Sequence, residues 1–308
     1  MSEKKLRKTK MKTIRKFIPI YVMILPGLLY IFINNLLPLP GMIVAFKNYN
    51  MRKGIFGSDW AGLKNFKYLF QNDAWYITRN TILYNVAFII INTALSILIA
   101  IILSEMTGKI KNIYQSAILL PYLLSTVILS YLVYAFLSTD QGLINSFLSN
   151  FGVEKISFYS EKKYWPFILI FVNAWKSVGY SCIIYLSTIL GFDRAYFEAA
   201  AIDGASKWQQ IRYITIPLLK GTVIMMTLLS IGRIFYSDFG LFYQVPRNSG
   251  ALFSVTNTID TYVYRGLMEN SSIATSAAAG FYQSIVGFIL VLGSNLIVRK
   301  KSPESALF

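Results

Sequence analysis

The chain has 308 residues, of which 55% are hydrophobic and 14% charged, and its formal net charge is +16. Soluble domains have about 25% charged residues, so lipid is the expected solvent for much of this chain. Eight of its thirty Lys and Arg residues fall within the first sixteen positions, just before an uncharged stretch. This placement indicates a membrane-topology signal, and we expect no nucleic-acid partner.

The residue types also exclude several kinds of chemistry. The chain has no histidine, and its single cysteine, Cys182, lies in an apolar stretch, so we predict no catalytic residues, no metal site and no disulfide framework. No GxxxxGK[ST] phosphate-binding loop occurs. We therefore expect the chain to bind no cofactor and to have no enzymatic activity of its own. If ATP drives its function, another polypeptide must hydrolyse it.

Six stretches are long and apolar enough to cross the hydrocarbon core of a bilayer, which takes roughly twenty helical residues. They cover residues 17–46, 80–104, 114–138, 164–190, 217–237 and 273–298. The first is too long for a signal peptide and is interrupted by Pro26, Pro38 and Pro40, so it predicts an uncleaved anchor with an irregular outer end. The sixth has small residues along one helical face, which predicts close helix packing: Ala277, Gly280, Ser284, Gly287 and Ser294.

The distribution of basic residues predicts the orientation. An even number of spans with basic ends places both termini in the cytoplasm, with 17 Lys and Arg inside, 11 outside and two within spans. The first outer loop is itself basic, which weakens this bias. The predicted organisation is a cytoplasmic basic segment (1–16), an all-α six-helix membrane domain (17–298) and a cytoplasmic tail (299–308).

The loop between the fourth and fifth spans, residues 191–216, is longer and more structured than a connector requires. Helix-forming residues follow Asp193, which is placed as an N-cap. Asp203 and Gly204 mark a turn, and a second short amphipathic stretch follows over 206–215. Pro217 is placed to open the fifth span. The pattern predicts two short helices and a turn at the cytoplasmic surface.

Within this loop, the sequence Glu198-Ala199-Ala200, three residues, Gly204, nine residues, Ile214, one residue, Ile216-Pro217 resembles the EAA loop of ATP-binding-cassette (ABC) importer permeases. Every spacing agrees with that motif, and the single departure is Ile216 where leucine is usual. Further segments resemble the permeases of oligosaccharide and polysaccharide uptake: residues 26–27, 45–50, 62–66, 80–81, 142–145, 175–180 and 259–265. Together they extend the resemblance over nearly the whole chain from residue 17 onward.

The resemblance implies a fold like that of the methionine permease and a role as a carbohydrate importer subunit in a bacterial plasma membrane. It implies four kinds of partner: a second, related permease forming a heterodimer, two cytoplasmic ATPase subunits that bind ATP and Mg, an extracellular solute-binding lipoprotein, and the carbohydrate. The loop would dock in a cleft of the ATPase. The residues implied to take part are Glu198, Ala199, Ala200, Asp203, Gly204, Ile214 and Pro217.

Polar and aromatic residues inside spans are candidates for the substrate pathway, because charged residues in a span usually face an aqueous cavity or a partner and sugars stack on aromatic rings. These candidates are Asn173, Trp175, Lys176, Tyr180, Arg233 and Tyr236. Aromatic residues also populate membrane interfaces, and Lys176 can instead pair with a neighbouring subunit. The main alternative function is a secondary carrier or channel that works alone, although no internal repeat or mid-span carboxylate favours it.

Overall fold

The computed structural model describes the backbone of residues 3–269 and 272–301, and the side chains of 17–269 and 272–300. Fifteen α-helices are found in this part of the chain. The long ones are α1 (Glu3–Ile31), α4 (Ala74–Glu105), α5 (Gly108–Leu123), α6 (Thr126–Leu137), α8 (Trp165–Leu190), α11 (Ile216–Ile231) and α15 (Ile273–Lys301).

The shorter elements lie between these helices. The helices are α2 (Gly54–Gly57), α3 (Lys64–Asn72), α7 (Leu143–Ser149), α9 (Arg194–Ile202), α10 (Lys207–Gln210), α12 (Phe239–Gln244), α13 (Phe253–Thr256) and α14 (Ile259–Met268). Strands β1 (Lys47–Asn48) and β2 (Asp59–Trp60) form an antiparallel pair. Short 3₁₀ helices cover Leu39–Phe46, Lys162–Tyr164 and Gly250–Leu252, and π-helical turns cover Phe32–Leu36 and Ile211–Thr215.

Within the described residues, five helical stretches are long and apolar enough to cross a membrane, and a sixth is obtained if the bent pair α5–α6 counts as one span. The first stretch, Phe17–Phe46, leaves the α-helical path after Ile31 and continues as π and 3₁₀ turns. The irregular outer end is thus present around Pro38 and Pro40, but the predicted interruption at Pro26 is wrong, because α1 continues through that residue. The backbone of 3–16 continues α1, and residues 302–308 of the predicted tail lie outside the described part of the chain.

The third span is not the continuous helix that the apolar stretch predicts. The axes of α5 and α6 differ by 97°. Leu124 and Ser125 are both extended at the break, and the Ser125 hydroxyl accepts a hydrogen bond from the backbone N–H of Ile128 at 3.3 Å. A serine that caps a new helix stabilises the interruption, whereas hydropathy alone registers only an unbroken apolar run.

The α4 and α8 helices pack along each other and form the centre of the bundle. Three apolar clusters surround this pair, one around Trp165 and Phe242, one around Tyr185 and Leu219, and one around Ile77 and Phe235. In α15, only Gly287 of the predicted small-residue stripe is buried. The face of α15 that packs within the chain instead carries Ser276, Ala279 and Gln283.

Candidate coupling loop and transport pathway

The loop between α8 and α11 has the predicted two-helix form. Asp193 caps α9, its Oδ1 accepting from the backbone N–H of Ala195 at 2.9 Å. At the other end Gly204 has φ +80°, and the N–H groups of Gly204 and Ala205 donate to the carbonyls of Ala201 and Ala200 at 3.1 and 2.8 Å. This bonding pattern ends a helix with a left-handed residue, a position that glycine occupies without strain.

The second arm of the loop is continuous with the fifth span. A capping box joins Ser206 and Gln209 at the start of α10, and a π turn leads directly into α11. The helical stretch therefore runs from Lys207 to Ile231. Pro217 lies in the first turn of α11, as the sequence predicts, but it does not begin the helical stretch, because helical backbone precedes it. The second arm of the loop and the membrane helix thus share continuous helical backbone.

The loop is joined to the bundle on one side and exposed on the other. Lys207 Nζ lies 2.9 Å from Glu105 Oε2 at the end of α4, and Thr215 is buried. Glu198, Ala199, Asp203 and Pro217 are exposed, whereas Ala200 and Ile214 are partly buried. Large apolar side chains also face solvent along both arms: Tyr196, Ile202, Trp208 and Tyr213.

Exposed apolar side chains grouped in this way mark a protein interaction surface. Glu198 also lines a cavity of about 380 Å³ between the loop and the inner ends of α4 and α8. Within the described residues no ion pair involves Glu198, because the ones present are Lys53–Asp59 and Lys207–Glu105. Its carboxylate remains available to a partner.

Three of the predicted pathway residues lie on one face of α8. Asn173 Oδ1 accepts from Asn92 Nδ2 at 2.8 Å, and Lys176 Nζ donates to Thr126 Oγ1 at 2.9 Å. Asn173 and Lys176 are three residues apart, and Lys176 and Tyr180 are four apart. The three side chains therefore lie in a line along one face of the helix. The line runs past the break between α5 and α6.

Tyr180 stacks on Tyr122 with ring centroids 4.8 Å apart. Asn92, Tyr122 and Thr126 therefore belong to the same polar and aromatic line, although the sequence analysis did not single them out. Asn92, one of three asparagines in α4, was the available signal, since polar groups inside a span are costly unless they are partnered.

The remaining three candidates lie elsewhere. Trp175 lines an apolar cavity of about 550 Å³ between α6 and α8, together with Phe167 and Phe171. Arg233 follows the end of α11 in a turn and is exposed, so it is not inside the helix as predicted. Tyr236 lies against Gly287 of α15. Across the described chain, no hydrogen bond or ring contact joins these three residues to Asn173, Lys176 or Tyr180.

The family model described as "Binding-protein-dependent transport system inner membrane component" matches residues 79–302. This chain belongs to that family. Its members are membrane permease subunits of importers, which agrees with the resemblance found in the loop. The loop described above falls inside the matched region, and the long apolar helices make the chain a multi-pass membrane protein.

Individual relatives extend the similarity to the whole chain. The polygalacturonan/rhamnogalacturonan transport system permease protein YteP of Bacillus subtilis is 33% identical, over 92% of this chain and 89% of YteP. Protein LplB of the same organism is 30% identical, over 92% of this chain and 90% of LplB. A solved bacterial ABC transporter, involved in import of the acidic polysaccharide alginate, superposes with a TM-score of 0.87 at 27% identity. The superposition covers 96% of this chain and 99% of the matched transporter chain.

Proposed function

We propose that this chain is one of two permease subunits of an ATP-driven importer that carries an oligosaccharide delivered by an extracellular solute-binding protein. The observation that carries the proposal is the loop of residues 191–216, whose second arm is continuous with a membrane helix. The names of the relatives supply the substrate class, since YteP is a polygalacturonan/rhamnogalacturonan permease. A similar solved structure is a bacterial alginate ABC transporter in complex with an alginate pentasaccharide-bound periplasmic protein, which supports delivery by such a partner.

The proposed orientation places both termini and the loop in the cytoplasm of a bacterial cell, with the chain in the plasma membrane. Two cytoplasmic ATPase subunits bind ATP and Mg, and this chain binds neither. One ATPase receives the exposed face of α9 and α10, with Glu198 available to a basic residue of its cleft. Closure of the ATPases then tilts α10, and α11 moves with it because no flexible joint separates the two.

A second permease is expected because five or six helices form only part of a pathway. Residues 17–40 of the first apolar stretch are all exposed within the chain. Many large apolar side chains elsewhere are also exposed. A related but different permease forming a heterodimer would cover part of this surface, and lipid the rest. The line of Asn173, Lys176 and Tyr180 would then face the pathway between the two subunits, where rings and hydrogen-bonding groups suit a sugar.

The proposal is tested by reconstituting the chain in liposomes with and without its second permease, ATPase and binding protein. A panel of labelled neutral and acidic oligosaccharides should be taken up only by the complete assembly and only with ATP. Uptake by this chain alone, driven by an ion gradient, would establish the secondary carrier instead.

A further inference from the structure

A polar cavity of about 240 Å³ lies apart from both the loop and the α8 line. It is enclosed by α3, the start of α4, α13, α14 and the start of α15, which all lie at the outer side in the proposed orientation. Its polar lining consists of hydroxyl, amide and guanidinium groups together with the carboxylate of Asp73. Two buried atoms of this lining, Arg265 Nη2 and Ser276 Oγ, have no hydrogen-bond partner within the described chain.

Arg265 is held in place but not neutralised. Its side chain is only 4% exposed, Nε donates to Asn248 Oδ1 at 2.7 Å, and Nη1 donates to Asn257 Oδ1. The guanidinium lies over the ring of Phe253, 3.9 Å from its centroid. Nη2 is buried and has no hydrogen-bond partner among the described residues. Two hydrogen bonds and one ring contact therefore hold the Arg265 side chain in place, and the N–H groups of Nη2 remain unpaired.

The nearby carboxylates do not serve as counter-ions in contact. Glu269 acts on Arg265 through space, but its Oε1 accepts from Tyr243 and Asn248 at 3.1 and 3.0 Å. Asp73 Oδ2 accepts from the Tyr262 hydroxyl at 2.9 Å. Burial lowers the pKa of Arg265 from its ordinary value, yet a guanidinium stays charged in proteins. A buried charge without a contacting counter-ion is costly, so an anion from outside the chain would stabilise this arrangement.

Ser276 gives an independent indication. Its Oγ is buried, lines the same cavity and has no partner in the described chain. A hydroxyl and a guanidinium edge are both donors, so one acceptor with two oxygens can satisfy them together. A carboxylate has this geometry and forms short, charge-assisted bonds with arginine.

We propose that this cavity, between Arg265 and Ser276, binds the carboxylate of a uronic acid unit of the transported oligosaccharide. The inference rests on the proposed function and specifies its substrate as an acidic sugar. The volume is below the roughly 300–1,000 Å³ of pockets for drug-sized molecules, so it suits one sugar unit and not a whole chain. The similar alginate transporter imports a polysaccharide described as acidic.

The test measures binding of digalacturonate and of neutral galactobiose to the purified complete transporter by isothermal titration calorimetry, without binding protein. Wild type should bind digalacturonate more tightly than galactobiose. Arg265→Gln should weaken digalacturonate binding by about ten- to a hundredfold, since a hydrogen bond to a charged group contributes that much, and leave galactobiose unchanged. Arg52→Gln, an exposed arginine in the first outer loop, is the matched control and should change neither affinity.

Ser276→Ala removes a hydroxyl that bonds to nothing described, so it should not disturb folding, yet it should weaken digalacturonate binding by about tenfold. If Arg265→Gln does not assemble, this variant alone decides the question, and unchanged binding overturns the proposal. Absence of digalacturonate binding by wild type, or equal loss of both sugars in Arg265→Gln, also overturns it. Uptake is measured separately: binding without uptake of any oligosaccharide leaves the anion site standing and refutes the proposed function.

Discussion

Gly179 of α8 lies against the backbone of Ile118 in α5, so closely that a Cβ atom on Gly179 would overlap the Ile118 carbonyl oxygen. The two helices touch through main chain at this point. The contact holds α5 beside α8 next to Tyr122 and Tyr180, whose rings stack. The position of Tyr122 beside Tyr180 therefore depends on the absence of a side chain at Gly179.

Gly179→Ala should destabilise the protein by about 1–3 kcal/mol, since the clash is with backbone and the helices must separate. Gly221→Ala in α11 is the matched control, because no atom lies within 4 Å of the added Cβ. Alanine there should be neutral or slightly stabilising, as alanine favours helix more than glycine does. Thermal unfolding of the purified protein in detergent measures both. Equal melting temperatures for the two variants would show that the close approach is absent.

Gly204 allows a second prediction, which separates backbone strain from crowding. Its φ is +80°, but nothing lies within 4 Å of a Cβ placed there. Gly204→Val should thus strain only the turn, by about 1–2 kcal/mol, and reduce association with the ATPase. Gly204→Asn should stay close to wild type, because asparagine tolerates the left-handed region. Co-purification of the ATPase with each variant is the measurement, and equal losses for both would point to a direct side-chain contact instead.

The proposed orientation predicts which sites a membrane-impermeant thiol reagent reaches. In a Cys182→Ala background, cysteines placed at the exposed positions Trp60, Asn150 and Gly250 should be labelled in sealed cells. A cysteine at Ile202, which is 86% exposed in the coupling loop, should be labelled only after the membrane is permeabilised. Labelling of the cysteine at position 202 in sealed cells would show that the chain has the opposite orientation in the membrane.

The absence of a phosphate-binding loop from the sequence predicts that the purified chain alone neither binds nor hydrolyses ATP. Hydrolysis should appear when the ATPase subunit is added, and rise further with sugar-loaded binding protein. Phosphate release by the purified chain, persisting through several chromatographic steps, would contradict this assignment of roles.

The coupling loop was largely predictable because its signals are local. Asp193 as a cap, Gly204 in a left-handed turn and the two short helices all follow from residue types at fixed spacing. The continuity of α10 with α11 was not predicted, since Pro217 indicates a helix start from sequence alone. A π turn before it lets the helix continue through the proline.

The pathway residues were harder to predict because their roles depend on which helices meet. Lys176 and Tyr180 could be singled out as polar or aromatic residues in a span, but Thr126 and Tyr122 become partners only through the 97° bend between α5 and α6. Trp175 differs from Lys176 by one position, which turns it about 100° around the helix and into an apolar cavity. Arg265 belonged to a segment noted only for resemblance, and its burial required tertiary contacts to be seen.

We propose that the loop of residues 191–216 couples this permease to an ATPase, and a substitution of Glu198 tests this coupling most directly. Glu198→Ala removes an exposed charge without an ion pair in the described chain, so membrane insertion and pairing with the second permease should remain normal. Losing one partner of a buried charge pair costs about 2–5 kcal/mol of binding. Co-purification of the ATPase and sugar uptake should both fall steeply.

Glu154→Ala provides the comparison, because Glu154 is equally an exposed acid but lies in an outer loop. The decisive measurement is ATPase co-purified per permease for the two variants, with uptake recorded in the same cells. We predict a large loss for Glu198→Ala and wild-type values for Glu154→Ala. Indistinguishable values for the two variants would contradict the coupling role of the loop.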